Sequence, residues 1–372
     1  VGLGLAAELA TQPQSAVTGP ASATVPFYGE HQAGIDTAPQ SNAVFIALDL
    51  RPEVDAAALA RLMRVLSSDA ARLSAGEPAL ADTEPELAAI PRRLTVTFGF
   101  GPALVARAGG TAPQWLAPLP AFTIDRLEDA FSGGDLLLQI AADDAVTVAH
   151  AARMLLKDAR SFTTVRWNQR GFRRAADSEA PGTTMRNLFG QVDGTANPKP
   201  GSAEFDEIVW SGGSPAWMSG GTGFVLRRIA MNLEGWDRID RAAREASLGR
   251  RMDTGAPLTG TLESDTPDLE ATTRLGFPVI PAYAHVRRAK GTERIFRRGY
   301  NYDEPVAGAG GISDSGLLFA SFQADVARQF VPIQRRLDEL DLLNTWTTPI
   351  GSAVFAIPPG CAEGGYVGET LF

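Results

Sequence analysis

The sequence is poor in cysteine and histidine, and this scarcity restricts the chemistry that the chain can carry out. The 372 residues contain one cysteine, Cys361, so no intramolecular disulfide can form. A single cysteine also excludes a cysteine-rich zinc or iron–sulfur site. The histidines number three: His31, His150 and His285. Any reaction that depends on histidine must therefore use one of these three side chains.

The chain also lacks a long apolar run and an excess of basic residues. No stretch reaches the ~20 apolar residues of a transmembrane helix, so we expect no stable membrane insertion. The net charge is −9. A nucleic-acid partner requires a basic face, so we expect no nucleic-acid binding. The hydrophobic content of 44% and the charged content of 21% are ordinary for a globular protein.

Residues 1–24 differ in composition from the rest of the chain. Val1–Ala7 are small and apolar, and Ala, Thr, Ser and Pro dominate from there to Thr24. This pattern resembles the end of an export signal and its linker, and a disordered extension explains it equally well. We predict a flexible segment over residues 1–24.

Strand and helix patterns occur twice along the chain and predict two domains. Apolar and alternating patterns predict strands over residues 43–50, 94–100, 135–141, 223–232 and 317–322. Amphipathic patterns predict helices over residues 52–73, 145–156, 236–250 and 325–337. Strand, helix, strand, strand, helix is the ferredoxin-like order. We therefore predict an α+β fold of two ferredoxin-like domains, 25–180 and 181–372, with antiparallel sheets and peripheral helices. The boundary is expected at Asp177–Thr184, which is rich in Gly, Pro and Ser.

Two segments resemble each other across the predicted domains. Gly134–Asp143 and Ser315–Asp325 are both apolar, end in aspartate and lead into a helix pattern. The similarity indicates a faint internal duplication.

Asp193 stands in the glycine-rich segment Gly190–Thr195. Glycine permits a positive φ and the close approach of another group, so this turn can present a carboxylate at the wall of a pocket. Asp-Gly is also the commonest turn dipeptide, and the segment alone fits an ordinary turn.

His285 lies between an apolar approach and a concentration of arginine. Phe277–Ala284 precede it, and Arg287, Arg288, Arg294, Arg297 and Arg298 follow. An apolar wall beside guanidinium groups suits a large planar anion, because arginine binds carboxylates in a bidentate manner. The alternatives are a structural histidine, a solvated basic face and a site for another dianion.

Together these motifs resemble those of a known family. Asn187–Thr195, Ala284–Arg287 and Ile295–Tyr300 are similar to the three signatures of the dye-decolorizing peroxidases, and Val25–Ile35 resembles the N-terminal signature of their exported, bacterial A-type. The resemblance runs from about Val25 to Phe372. It implies the dimeric α+β barrel superfamily and one haem b (iron protoporphyrin IX) per chain. The segment Arg288–Thr292 is shorter than the family's usual loop.

The resemblance also implies roles for individual residues. His285 is expected to be the proximal ligand of the haem iron. On the opposite, distal face, Asp193 is expected to take the peroxide proton, and Arg297 to stabilise the charge that develops as the O–O bond breaks. Further haem contacts are expected from Arg287, which would hold a propionate, and from Arg298, Phe319, Gly194 and Thr195.

A ligating histidine needs an acceptor for the N–H of its other ring nitrogen. Asp325 is the candidate, since it ends an apolar strand where an unpaired carboxylate is poorly solvated. Its alternative role is the N-cap of the following helix. His31 is expected to pack over the haem pocket, and His150 to be a core or surface residue.

The expected function is a haem peroxidase that uses hydrogen peroxide to oxidise dyes, phenols or related donors in one-electron steps. The alternatives are iron release from haem, which is a deferrochelatase-type role, and a non-catalytic haem carrier or sensor. A carrier does not need a distal Asp and Arg. The resemblance implies export by the twin-arginine route and leaves any electron-donating partner protein unidentified. Oxidation of bulky donors would require surface aromatic relays, and the candidates are Tyr300, Tyr302, Trp210, Trp217 and Trp346.

Overall fold

Nine strands form one antiparallel sheet in the computed structural model, which describes residues 23–306 and 313–372. The strands are β1 (Asn42–Leu50), β2 (Thr95–Phe100), β3 (Leu136–Ala142), β4 (Thr163–Phe172), β5 (Thr222–Met231), β6 (Phe296–Arg297), β7 (Tyr300–Glu304), β8 (Asp314–Gln323) and β9 (Thr347–Ile357). The helices are α1 (Ala56–Ser74), α2 (Pro102–Arg107), α3 (Ala145–Ala159), α4 (Ala203–Val209), α5 (Leu233–Asp237), α6 (Arg241–Leu248), α7 (His285–Ala289) and α8 (Phe330–Leu340).

The sheet consists of two ferredoxin-like halves that close into a barrel. The first half has the strand order β4-β1-β3-β2, and the second has β9-β5-β8-β7. The halves meet through the pairs Phe100–Ala356 and Phe172–Asn301. The predicted fold class is confirmed, and the two similar segments lie in β3 and β8, which hold equivalent positions in the two halves.

The two faces of the sheet bury different cores. Side chains that point into the barrel form one cluster, which includes Phe45, Phe224 and Phe355. On the outer face of the first half, α1 and α3 pack through a large apolar cluster. Asp55 and Asp144 cap these helices by accepting the N–H groups of Ala58 and Thr147 at 2.8 and 2.9 Å. On the outer face of the second half, shorter helices pack over β5 and β8, and the functional site lies there.

Several predicted elements differ from those observed. The helix expected over 236–250 is two helices, α5 and α6, and the helix expected from residue 325 begins at Phe330. The sequence patterns did not predict β4, β6, β7 or β9. The division into domains 25–180 and 181–372 stays a prediction. The predicted flexible segment 1–24 lies, apart from its last two residues, outside the described residues.

No helix within residues 23–306 or 313–372 is long and apolar enough to cross a membrane.

Candidate functional site

A cavity of about 580 Å³ lies against the outer face of the second half of the sheet. Its volume falls within the range of ~300–1,000 Å³ that is typical of small-molecule and cofactor sites. Ile229 on β5 and Leu317 and Phe319 on β8 form one wall, and Phe330 and Ile333 on α8 form another. The predicted site residues Asp193, Gly194, Thr195, His285, Arg297 and Phe319 all line this cavity.

Asp193 is carried by a hairpin that precedes α4. Arg186 and Val192 form a backbone bridge, and the N–H of Asp193 donates to the carbonyl of Met185 at 2.8 Å. Gly194 follows with a φ of 129°, a conformation that disfavours any residue with a Cβ. The hairpin and the glycine together direct the Asp193 carboxylate into the cavity.

Arg297 pairs with Asp193 inside the cavity. Nη1 of Arg297 donates to Oδ1 of Asp193 at 2.9 Å, and both side chains are at least partly buried. The side chain of Asn197 fixes the backbone of Arg297 from both sides, because its amide donates to the carbonyl and its oxygen accepts the N–H. The two ends of this ion pair are therefore both anchored in the backbone.

Arg298 does not reach the cavity, contrary to the expected haem contact. Its side chain is fully buried, and its guanidinium donates to Gln40 Oε1 at 2.6 Å and to the carbonyl of Thr37. Consecutive residues of an extended chain point to opposite faces. Since Arg297 faces the cavity, Arg298 faces the barrel interior, where it holds the segment before β1.

His285 begins α7 and is held by Asp341, which lies just after α8. Nδ1 of His285 and Oδ2 of Asp341 are 2.5 Å apart, and the Asp341 side chain is 3% exposed. The imidazole is 34% exposed, and this surface faces the cavity. Among the described residues, Nε2 of His285 has no hydrogen-bond partner, so this nitrogen is available to a ligand.

The acceptor that the sequence analysis assigned to Asp325 is therefore Asp341. Asp325 accepts the backbone N–H of Arg328 at 2.9 Å in the turn before α8, and its alternative role as the helix N-cap falls to Gln329. Asp341 carried no distinguishing pattern in the sequence, because the only signal was an acid at the end of a helix.

Burial lowers the pKa of His285, whereas the charge of Asp341 and its hydrogen bond raise it. The two effects of Asp341 together outweigh burial, so the pKa of His285 lies above its ordinary value. Arg297 and Asp193 also act on this imidazole, with opposite signs. The three side chains therefore share one electrostatic environment across the cavity.

Arg287, which was expected to hold a propionate, is not among the residues that line the cavity. Its guanidinium donates to the carbonyls of Ile280 and Leu269 instead. Besides Arg297, five cationic residues line the cavity without an individual role having been predicted for them: Arg227, Arg250, Arg251, Lys290 and Arg294. Arg250 and Arg251 stand together in the sequence, and this pair was the available signal.

His31 does not lie over the cavity. Its ring stacks on Trp210 at 3.6 Å, and Nδ1 lies 2.7 Å from the carbonyl oxygen of Gly220. His150 pairs with Asp82 at 2.8 Å in the first half. Of the aromatic relay candidates, Tyr300, Tyr302 and Trp217 are buried, whereas Trp210 and Trp346 are partly exposed.

Two family models match the chain. One, described as Dyp-type peroxidase, N-terminal, matches residues 32–173, and the other, Dyp-type peroxidase, C-terminal, matches residues 184–362.

Individual proteins are similar along nearly the whole chain. A dye-decolorizing peroxidase of Thermobifida fusca is 39% identical over 98% of this chain and 85% of its own length. A deferrochelatase of Escherichia coli is 35% identical over 93% of this chain and 86% of its own. A crystal structure of a DyP-type peroxidase from Cellulomonas bogoriensis is 55% identical, with a TM-score of 0.91 over 95% of this chain and 99% of that one.

Proposed function

The chain belongs to the Dyp-type peroxidase family, and from this we propose that it is a haem b peroxidase that uses hydrogen peroxide to oxidise dyes, phenols or related donors. The single observation that carries the proposal is the arrangement of one cavity. An imidazole with a free nitrogen and a carboxylate–guanidinium pair both face it.

The residues of the cavity fit haem in two further respects. The walls formed by Leu317, Phe319 and Phe330 are apolar, which suits the macrocycle. Cationic residues line other parts of the same cavity, and Arg250 and Arg251 are candidates to hold the propionates. Bound haem would supply the iron at which peroxide is cleaved and through which electrons pass from the donor.

Each polar side chain has a definable task. Asp341 keeps the Nδ1–H of His285 engaged and presents Nε2 to the cavity as the ligating nitrogen. Arg297 engages only Oδ1 of Asp193, and Oδ2 has no partner among the described residues. That oxygen can accept the proton of incoming peroxide. The Arg297 guanidinium stabilises the negative charge that develops on the departing oxygen.

The absorption spectrum of the purified protein tests haem binding. We expect a Soret band in the wild type and in the matched control His31→Ala, and its loss in His285→Ala, because no other described histidine faces the cavity. Rapid mixing with hydrogen peroxide should then change the wild-type spectrum, whereas a carrier would stay ferric and unchanged. A Soret band that survives in His285→Ala and disappears in His31→Ala would refute the assignment.

Iron release from haem is the second candidate, because relatives at 35% identity carry the name deferrochelatase. The two activities have different products. Metal-free porphyrin fluoresces, so its accumulation in the haem-loaded protein would favour iron release. We expect donor oxidation instead, since the Asp193–Arg297 pair serves peroxide cleavage.

Export is part of the same proposal and is supported by the composition of residues 1–24, while the twin-arginine route is supported by the resemblance to the exported A-type. Fractionation of the native host, with the chain detected by antibody, should find it outside the cytoplasm. Detection in the cytoplasm alone would refute this part.

A further inference from the structure

The hairpin that carries Asp193 is fastened at both ends to one carboxylate oxygen. Oε1 of Glu263 accepts the hydroxyl of Thr184 at 2.6 Å and the hydroxyl of Thr195 at 2.8 Å. Thr184 stands at the start of the hairpin and Thr195 at its end, on either side of the Arg186–Val192 bridge. One side chain from a distant loop therefore closes the base of the hairpin.

This closure restrains the end of the hairpin, where backbone hydrogen bonds between its two sides are absent among the described residues. The last backbone hydrogen bond within the hairpin is from Asp193 N–H to the carbonyl of Met185. Gly194 follows, and glycine is the residue with the most backbone freedom. A Cβ at Gly194 would lie 3.4 Å from the methyl group of Thr184, so the two ends of the hairpin lie side by side here. The hydrogen bond from Thr195 fixes the chain directly after this glycine.

Glu263 is itself held in place. Its carbonyl accepts Nη1 of Arg250 at 3.0 Å, and the same nitrogen donates to the carbonyl of Gly255 at 2.7 Å. Asp265 accepts the backbone N–H groups of Thr261 and Leu262 at 2.7 and 2.9 Å, which orders the turn beside Glu263. The acceptor is thus a rigid reference point for the hairpin.

Glu263 does not line the cavity, although its neighbour Ser264 and its partner Thr195 do. Its contacts with the hairpin are therefore the route by which it can act on the cavity. From these contacts we infer that Glu263 is a positioning residue, which sets the place of the Asp193 carboxylate by tying Thr184 and Thr195 together. This inference rests on the proposed function, in which Asp193 accepts a proton near the iron.

Two substitutions at residue 263 separate the acceptor from its charge. Glu263→Leu removes the acceptor at similar size, whereas Glu263→Gln keeps an Oε1 acceptor and removes the charge. Glu270→Leu, at an exposed position in the same loop, is the matched control for charge removal. The double variant Thr184→Val and Thr195→Val removes both donors and leaves Glu263 intact, which also covers the case in which Glu263→Leu fails to fold.

The assay is the rate of cyanide binding to the haem-loaded ferric protein. Hydrogen cyanide must give up its proton to a base near the iron, so this rate reports on Asp193 without turnover. Steady-state kinetics with peroxide as the varied substrate, which give kcat and KM separately, are the second readout. A misplacement of ~1 Å can reduce a rate by about a hundredfold. We expect Glu263→Leu and the double threonine variant to slow cyanide binding by about 10- to 100-fold with normal haem loading.

The rate of cyanide binding in Glu263→Gln should stay within about threefold of the wild-type rate, and the rate in Glu270→Leu should equal the wild-type rate. Wild-type cyanide rates in Glu263→Leu or in the double variant overturn the inference alone, because the wild type still reacts. A Glu263→Gln variant as slow as Glu263→Leu also overturns it, since charge and not tethering would then matter. A wild-type protein that binds no haem overturns the inference and the proposed function together.

Discussion

Replacing Asp341 with asparagine removes a charge beside His285, the proposed haem ligand, and keeps the shape of the side chain. Oδ2 of Asp341 lies 2.5 Å from Nδ1 of His285, and Oδ1 accepts the backbone N–H of Leu343 at 3.0 Å. Asparagine has one acceptor oxygen and one NH2 donor in place of two carboxylate oxygens, so it cannot accept from both His285 and Leu343. With its oxygen toward His285, the variant replaces an anionic acceptor of the imidazole by a neutral one and gives up the bond to Leu343.

The magnitude follows from the kind of hydrogen bond that is lost. A bond to a charged group contributes about 1.5–3 kcal/mol and a neutral one about 0.5–1.5 kcal/mol, so the loss is roughly 1–1.5 kcal/mol. That corresponds to about a tenfold weaker haem affinity, at the low end of the range known for groups that support a metal ligand. If the loss falls on the ferric state, the reduction potential rises by about 60 mV.

Spectroelectrochemistry and a haem titration of the apoprotein measure the two quantities. Asp325→Asn is the matched control, because it makes the same chemical change at a carboxylate that caps Arg328 and does not contact His285. We expect the control to keep the wild-type potential. A raised potential in Asp325→Asn with an unchanged one in Asp341→Asn would refute the assignment of the acceptor.

Two further predictions concern Arg297 in the cavity and Asp158, a half-buried acid in the first half. Arg297→Leu should slow the reaction with peroxide by about a hundredfold, since removing one preorganised charge-stabilising group costs ~3 kcal/mol. Stopped-flow absorbance with full haem loading measures this, and a wild-type rate would contradict it. Burial and the neighbouring Asp69 raise the pKa of Asp158 from 3.8 to about 7. The folded state then holds an extra proton between about pH 4 and 7, so this residue reduces stability as pH rises through that window. The full shift corresponds to at most ~4 kcal/mol, and we expect Asp158→Asn to gain roughly half of it at pH 8 and nothing at pH 4. Urea unfolding at both pH values checks this, and an equal gain at the two would contradict it.

The site residues that the sequence predicted are those that stand in short, recognisable motifs. Asp193 follows glycine-rich chain, and Arg297 follows His285 closely, so short motifs identified them. The acceptor for His285 comes from 56 residues away, and nothing near Asp341 reveals that α8 ends beside α7. Local sequence also cannot show which of two adjacent arginines faces a cavity. The alternation of an extended chain separates Arg297 from Arg298, and this becomes visible only once the chain is placed against β8.

Two of the strands that were not predicted, β4 and β9, have sequence features that hide a strand pattern. In β4, exposed polar positions such as Arg166, Asn168 and Arg170 interrupt the apolar signal. In β9, Pro349 argues against a strand, because proline cannot donate to a ladder. The structure tolerates it beside a register shift between Arg228 and Ile229, where the pairing with β5 is irregular.

The two halves of the barrel share a strand order and differ in what covers it. In the first half, α1 and α3 have 19 and 15 residues and fill the space above their sheet with apolar side chains. In the second, α6, α7 and α8 have 8, 5 and 11 residues, and loops complete the cover. The covering layer thus decides whether there is room for a large planar ligand, and the sheet supplies one wall of that space. A change in helix length alone could convert a packed half of such a barrel into a binding half, with every strand pairing preserved.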